Sequence, residues 1–244
     1  MKIIDAYWEV QNLGLRVCEI IFDKNERIAL FNQANLEKIF KYIVVKVPAG
    51  ELQLVHELEN TGFRFIENQF IITMNPNDIQ YMDISFLKHF PEMSIKKVTG
   101  MDEIEIINSN IAEGMFVYDR ISMDPYFTKG KSLKRLQNWI EELYKRENVE
   151  IYYLIKGEQK TGFFVIESVS KKKVLITFAG LFNSYKNSGI AFFLVYFTMQ
   201  LAKEKNIQIV EAIFSSNNRN MFNIISRTIR FRVENSYLVL RKIT

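Results

Sequence analysis

One stretch of 28 residues, 174–201, constrains this chain most: VLITFAGLFNSYKNSGIAFFLVYFTMQL. A β-branched, apolar segment from Val174 to Phe178 runs into the polar loop Asn183-Ser184-Tyr185-Lys186-Asn187-Ser188-Gly189, which opens a long apolar helix. In such a strand–loop–helix the first-turn N–H groups have no intrahelical partner, and the helix dipole adds partial positive charge. Lys186 adds a full charge. The stretch therefore suits a phosphate or pyrophosphate. An ordinary strand-to-helix turn with one glycine has the same local pattern.

The 244 residues allow one large domain or two small ones. Abundant aromatics, 20 Phe and 11 Tyr, argue against disorder. A formal charge of +4, with Lys and Arg scattered, fits an anionic small substrate better than duplex nucleic acid. With Cys18 as the single cysteine and His56 and His89 as the two histidines, there is no disulfide framework, no cysteine zinc site and little material for a histidine metal cluster or a Ser-His-Asp triad. We expect no metal. The N-terminus carries Asp5 and Glu9 early and has no continuous apolar core, so it does not read as a signal peptide. No run reaches the roughly 18 apolar residues of a membrane span. The expectation is a cytoplasmic protein with no membrane partner.

Strands are expected at 15–22, 42–47 and 63–74, with short helices at 35–40, after the polar Asn32-Gln33, and at 51–60, where Gly62 follows. Leu52, Val55 and Leu58 give the second helix its apolar spacing. The Pro-bearing segment 74–93 reads as a linker, which puts a boundary near residue 90 and divides the chain into 1–90 and 91–244. Beyond it come a strand (94–98), a helix from Asp102, an irregular stretch, and a helix over 133–146 capped by Ser132. Three antiparallel strands follow (151–155, 162–169, 173–181), then a helix (188–204), a strand (207–214), a helix (217–227) and a last strand (231–242). Both parts share a β-α-β pattern, which suggests an internal duplication.

This order resembles the GNAT acetyltransferase fold, an α/β (α+β) architecture with a mixed central sheet flanked by helices. The family's acetyl-CoA loop has the form Gln/Arg-x-x-Gly-x-Gly/Ala, and here Lys186-Asn187-Ser188-Gly189-Ile190-Ala191 is similar to it. Small residues let a pyrophosphate approach the backbone N–H groups. A narrower resemblance is to the TDP-fucosamine acetyltransferase branch. It rests on Trp8-Glu9 with Asn12-Leu13-Gly14, on LENTGFRFI (58–66), and on Asp119-Arg120-Ile121, Asp124-Pro125-Tyr126-Phe127, Arg135 and Trp139-Ile140. It implies a truncated N-terminal GNAT-like half over 1–90, a catalytic acyl-CoA-binding domain over 91–244, and a nucleotide-linked amino sugar as acceptor. Two departures stand out. Asn187 replaces a frequent glycine, and the run Asn218 to Ile225 puts Ile225 where the family commonly has the tyrosine that protonates the leaving thiolate.

The resemblance thus implies an N-acetyltransferase using acetyl-CoA as co-substrate, the amine attacking the thioester directly. Leu181, Phe182, Lys186, Asn187, Ser188, Gly189, Ile190, Ala191 and Asn218 would bind CoA, with a backbone N–H at Leu181 or Phe182 facing the carbonyl. Asn218 equally suits a helix cap. Base candidates are Asp119, Asp124 and Glu167; Tyr118, Tyr126 and Tyr185 are hydroxyls that could replace the missing acid. Arg120 and Asp124 are the candidates for holding the substrate, Arg120 by gripping a diphosphate bidentately. A non-catalytic acyl-CoA-binding module, motivated by Ile225, is the alternative, and a peptide or other small amine is the alternative acceptor. A homodimer is left open.

Overall fold

The computed structural model describes residues 1–26, 33–82 and 85–244. Its elements are β1 (Lys2–Asp5), α1 (Glu9–Leu13), β2 (Val17–Ile21), α2 (Gln33–Ile39), β3 (Tyr42–Pro48), α3 (Leu52–Asn60), β4 (Arg64–Met74), β5 (Met93–Lys97), α4 (Met101–Asn110), α5 (Arg120–Met123), α6 (Lys129–Tyr144), β6 (Val149–Lys156), β7 (Gln159–Ser170), β8 (Lys173–Leu181), α7 (Phe192–Glu204), β9 (Ile209–Ser215), α8 (Arg219–Thr228) and β10 (Phe231–Ile243). Two 3-10 turns, Pro76–Tyr81 and Ser85–His89, occupy the linker. Asn32, and 83–84 within the linker, lie outside the described residues.

The strands form one ten-stranded mixed sheet in the order β1-β2-β3-β10-β4-β9-β8-β7-β6-β5. Two neighbouring pairs run parallel, β2 with β3 and β8 with β9. Each parallel pair leads into the same unit of strand, helix and long strand: β3-α3-β4 and β9-α8-β10. The long strands are exchanged. β10 pairs with β3, β4 pairs with β9, and β4 and β10 pair with each other. About the β4/β10 pair, β3-β2-β1 on one side match β9-β8-β7 on the other, with β6 and β5 extending the second side, the pattern of a repeated unit whose copies trade their last strands.

Burial explains why these residues form these strands. Ile43, Val45 and Val47 face a core shared with Leu54, Val55 and Leu58 of α3. Tyr42 and Val44 face a second core with Leu13, Ile121 and Val239. Side chains alternate along a strand, so one that is buried on both faces is apolar throughout. Over the second half of the sheet α4 and α6 cover one face. α7 covers the other face beside β6 and β7, and α7 with α8 packs over β4 and β9.

One buried face and two helix starts depart from expectation. In α3 the buried residues are Leu54, Val55 and Leu58, while Leu52 points outward. The helix expected at 133 begins at Lys129, because Thr128 rather than Ser132 supplies the cap, accepting from the Lys131 amide. Ser132 is instead buried and hydrogen-bonded to Ser122. α7 begins at Phe192, not 188, because Gly189 at φ 78° takes a left-handed conformation that a helix cannot continue through.

β7 and β8 approach closely at Gly162. A Cβ there would lie 2.5 Å from the Gly180 carbonyl oxygen and 3.1 Å from Leu181 Cα, both backbone atoms. Gly162→Ala is expected to destabilise the protein by about 1–3 kcal/mol through overpacking. Urea unfolding checks this, and an unchanged midpoint would contradict the close approach.

Candidate active site

β8 and β9 pair only from Lys173↔Ile209 to Ile176↔Ala212 and then diverge. At that point β8 carries a bulge. Val165 pairs with Phe178 and Ile166 with Ile176, so Thr177 is the extra residue. A bulge bends a strand and re-aims its side chains. The gap between the splayed strands opens into a cavity of about 650 Å³. Its walls are Thr177–Leu181 of β8, Ile213–Ser215 of β9, the 115–120 segment, Trp139 of α6, and Asn218, Met221 and Ile224 of α8. Lys186 and Ala191 border one side. Glu19, Lys46, Glu67 and Gln69, on the strands of residues 1–90, border another.

The amide of Phe182 donates to the Thr161 carbonyl at 2.9 Å. It is therefore not free to face a carbonyl in the gap. N–H groups alternate sides along a strand. Those of Leu181 and Ala179 thus point away from β7, toward the space that β9 has left. Of the two proposed donors, Leu181 has the suitable geometry.

The 186–191 loop is tight. Lys186 Nζ donates to the Gly114 carbonyl at 3.0 Å, and Ser188 Oγ donates to the Tyr185 carbonyl at 2.6 Å. Ala191, at the N-terminus of α7, supplies no side-chain cap. A Cβ on Gly189 would meet nothing within 4 Å, so glycine is there for its positive φ, and the space above it is open. The Phe193 and Leu194 amides donate to the Ile190 and Ala191 carbonyls, and a helix start without a side-chain cap, with open space and a nearby ammonium, suits a pyrophosphate. Lys186 and Ala191 border the cavity, whereas Asn187, Ser188, Gly189 and Ile190 do not. Asn218 both borders the cavity and caps α8, accepting from the Met221 amide at 3.1 Å.

The inner end is charged and largely buried. Glu19 bridges Lys46 and Arg120, each at 2.8 Å. Burial pushes its carboxyl up, but the charges of Arg120 and Lys46 outweigh that and lower it to about 2. Because the folded value lies below the unfolded one, near 4.5, the stabilisation is complete above about pH 4.5 and is lost as pH falls toward 2. It amounts to roughly 3 kcal/mol at about 1.4 kcal/mol per pH unit. In urea melts at pH 7 and pH 3, the wild type should lose more stability than Glu19→Gln; equal losses would contradict the pairing.

Arg135 binds Glu9 at 2.8 Å and Asp119 at 3.3 Å, and Asp119 also accepts from the Ile121 and Ser122 amides as the cap of α5. Glu67 is 2% exposed, with the Ser215 side chain as its hydrogen-bond partner. Burial pushes its carboxyl above the usual range, despite that bond and the Arg120 charge; Asp119 adds to the upward shift. The sequence reading missed Glu67. Glu67 stands in the polar run Glu67-Asn68-Gln69 of the strand RFIENQFIITM, where nothing in the local pattern singles it out.

Of the candidates, Asp119, Arg120 and Tyr118 border this cavity; Asp124, Tyr126, Glu167 and Tyr185 do not. Asp124 is 1% exposed and held bidentately by Arg241 at 2.8 and 3.1 Å, with the Tyr42 hydroxyl donating at 2.7 Å. Tyr126 lies over Tyr42 and Phe127. Glu167 is engaged by Asn148 at 3.3 Å and lies 3.9 Å from Arg146. The Tyr185 hydroxyl donates to Gln159 at 2.6 Å. Ile225 is a core residue, packed with Met199 and Val210.

No protein-family model and no curated relative matches this sequence. Solved structures do match in fold. A functionally unknown conserved protein from Staphylococcus epidermidis superposes with a TM-score of 0.61 at 12% identity, covering 93% of this chain and 84% of that one. A GCN5-related N-acetyltransferase from Kribbella flavida gives 0.57 at 10% identity, covering 93% and 81%. Another, from Sphaerobacter thermophilus, gives 0.57 at 11% identity, covering 83% of this chain and 59% of that one, less than two thirds of its length. The chain thus has the GNAT fold, a mixed sheet flanked by helices. No helix among the described residues is long and apolar enough to cross a membrane.

Proposed function

We propose that the chain is an acyl-CoA-dependent N-acyltransferase acting on a small primary amine. One observation carries this reading. The gap where β8 leaves β9 joins a helix N-terminus without a side-chain cap, beside Lys186, to a pocket holding the buried carboxyl of Glu67. These residues fit CoA. Lys186 and the start of α7 would hold the pyrophosphate, and the pantetheine arm would take the place of β9 along the edge of β8. The co-substrate supplies an activated acyl thioester.

The residues' roles then follow from chemistry. The Leu181 N–H faces the position where negative charge develops on the carbonyl oxygen. Glu67, with its raised pKa, takes a proton from the incoming ammonium. Ile225 gives the leaving sulfur no proton. A thiol with a pKa near 8.5 leaves tolerably as thiolate, and Tyr118 is the hydroxyl at the cavity wall. The halves 1–90 and 91–244 would share the work, the first lending Glu67 through the exchanged strand β4. The TDP-fucosamine resemblance suggests a nucleotide-linked amino sugar as acceptor.

The test is CoA binding by calorimetry together with thiol release from acetyl-CoA over a panel of amines. Wild type should bind CoA and release thiol with at least one amine. Gly189→Val, strained at φ 78° and filling the open space, should weaken CoA binding about tenfold or more. CoA binding without turnover on any amine would favour the non-catalytic module that Ile225 suggests. Undiminished binding by the variant would remove the loop from the site.

A further inference from the structure

What covers Gly180 narrows the acyl donor, if the N-acyltransferase reading above holds. Phe178 and Phe182 turn to the core under α4 and α6, while Ala179 and Leu181 turn to the core under α7. By alternation Gly180 falls on the first of these faces, where it has no side chain of its own. Two other side chains fill that place. A Cβ on Gly180 would lie 2.7 Å from Phe116 Cζ and 2.9 Å from Met115 Cε. The Phe116 ring packs there against Phe178, at 4.5 Å between centroids, and against Phe163 at 6.4 Å. Gly180 and Leu181 share a peptide unit, so an acyl group held at the Leu181 N–H has Phe116 and Met115 for neighbours.

A second cavity, of about 540 Å³, adjoins the first. Phe116, Val117 and Leu136 line both and so stand between them. The polar side chains of the second cavity are paired with one another, Ser122 with Ser132 and Glu113 with Lys129 at 3.6 Å. Ala112 and Leu133 join the three shared residues to complete an apolar lining. Such a lining suits hydrocarbon and leaves a polar group without partners. Pockets of about 300–1,000 Å³ hold drug-sized ligands, so a six-carbon chain is small for this one. We propose that Phe116 limits the acyl donor to a short chain of the acetyl or propionyl class, its ring closing the way from the thioester to the apolar cavity behind it. Shortening Phe116 joins the two cavities and gives a longer acyl chain a place to be buried.

The experiment measures the affinities of CoA, acetyl-CoA and hexanoyl-CoA by calorimetry, which needs no acceptor. The wild type should bind hexanoyl-CoA no more tightly than acetyl-CoA. Phe116→Ala should bind hexanoyl-CoA about tenfold or more tightly than acetyl-CoA, against a ceiling of roughly 10²-fold for burying the additional methylenes. Phe116→Leu, which keeps more of the packing on Phe178, should show the same preference in smaller measure. In the double variant Phe116→Ala/Ala112→Phe, which refills the second cavity from its far wall, the preference should disappear. A wild type that already favours hexanoyl-CoA tenfold overturns the proposal. So do Phe116→Ala and Phe116→Leu proteins that bind CoA as the wild type does yet gain nothing for the longer chain, and so does loss of CoA binding in both, which would make the ring a support of the site rather than a limit on the chain. In all three cases the transferase reading survives. A wild type that binds neither CoA nor acetyl-CoA fails that reading, and this inference fails with it.

Discussion

Glu67→Gln is expected to lower kcat by about 10²- to 10⁴-fold, the usual contribution of a positioned general base, while CoA affinity stays unchanged. The substitution keeps the shape and a hydrogen-bond acceptor for Ser215 and removes the ability to take a proton. Glu67 is almost fully buried, and burial raises its pKa against the bond from Ser215 and the charge of Arg120. A carboxyl so raised is a stronger base than a surface glutamate. The wild-type rate should rise with pH as Glu67 ionises, and that limb should be missing from the variant. Stopped thiol-release assays across pH 5–9, on the order of the range where such groups titrate, check both points. A variant with wild-type kcat would show that the amine loses its proton elsewhere, with Asp119 the next carboxylate on the cavity wall.

Asp124→Ala is expected to cost about 3–5 kcal/mol, the usual consequence of removing one partner of a buried ion pair. Asp124 accepts two bonds from Arg241, one from Tyr42 and one from the Tyr126 amide. Burial alone would push its carboxyl up; Arg241, the Tyr126 amide and Tyr42 bring it below the usual range. Its loss strands the Arg241 charge and the Tyr42 hydroxyl in a core shared by β3, β10 and α5. Urea unfolding should show the loss, while the KM for amine in any surviving folded fraction should stay near wild type. A stable variant with a sharply raised KM would instead return Asp124 to the substrate.

Much of the fold could be read from residues with strong local patterns. Tyr42–Pro48 is apolar apart from Lys46 because both of its faces are largely buried, and the 174–201 stretch shows its strand and helix openly. Other parts leave little trace. β1 has one half-buried residue in four and sits at the edge of the sheet, so its residues carry no alternation. α1 spans five residues, too few for a period. The exchange of β4 and β10 is a matter of pairing, which a local pattern does not encode. Lys186 and Ala191, which border the cavity, stand out in the sequence because a helix start has its own chemistry. Asp124 was read as a site residue because its partner, Arg241, is 117 positions away. Thr128 and Ser132 are both capping types, and only burial of Ser132 tells them apart.

A crystal structure with CoA bound tests the central claim most directly. The account predicts the pyrophosphate at the 186–191 loop, the pantetheine arm in the gap beyond Ile176 and Ala212, and the sulfur beside the Leu181 amide, on the side that opens toward Glu67. CoA bound anywhere else, or a sulfur separated from Glu67 by intact packing of Met115 and Phe116 on Gly180, would contradict it.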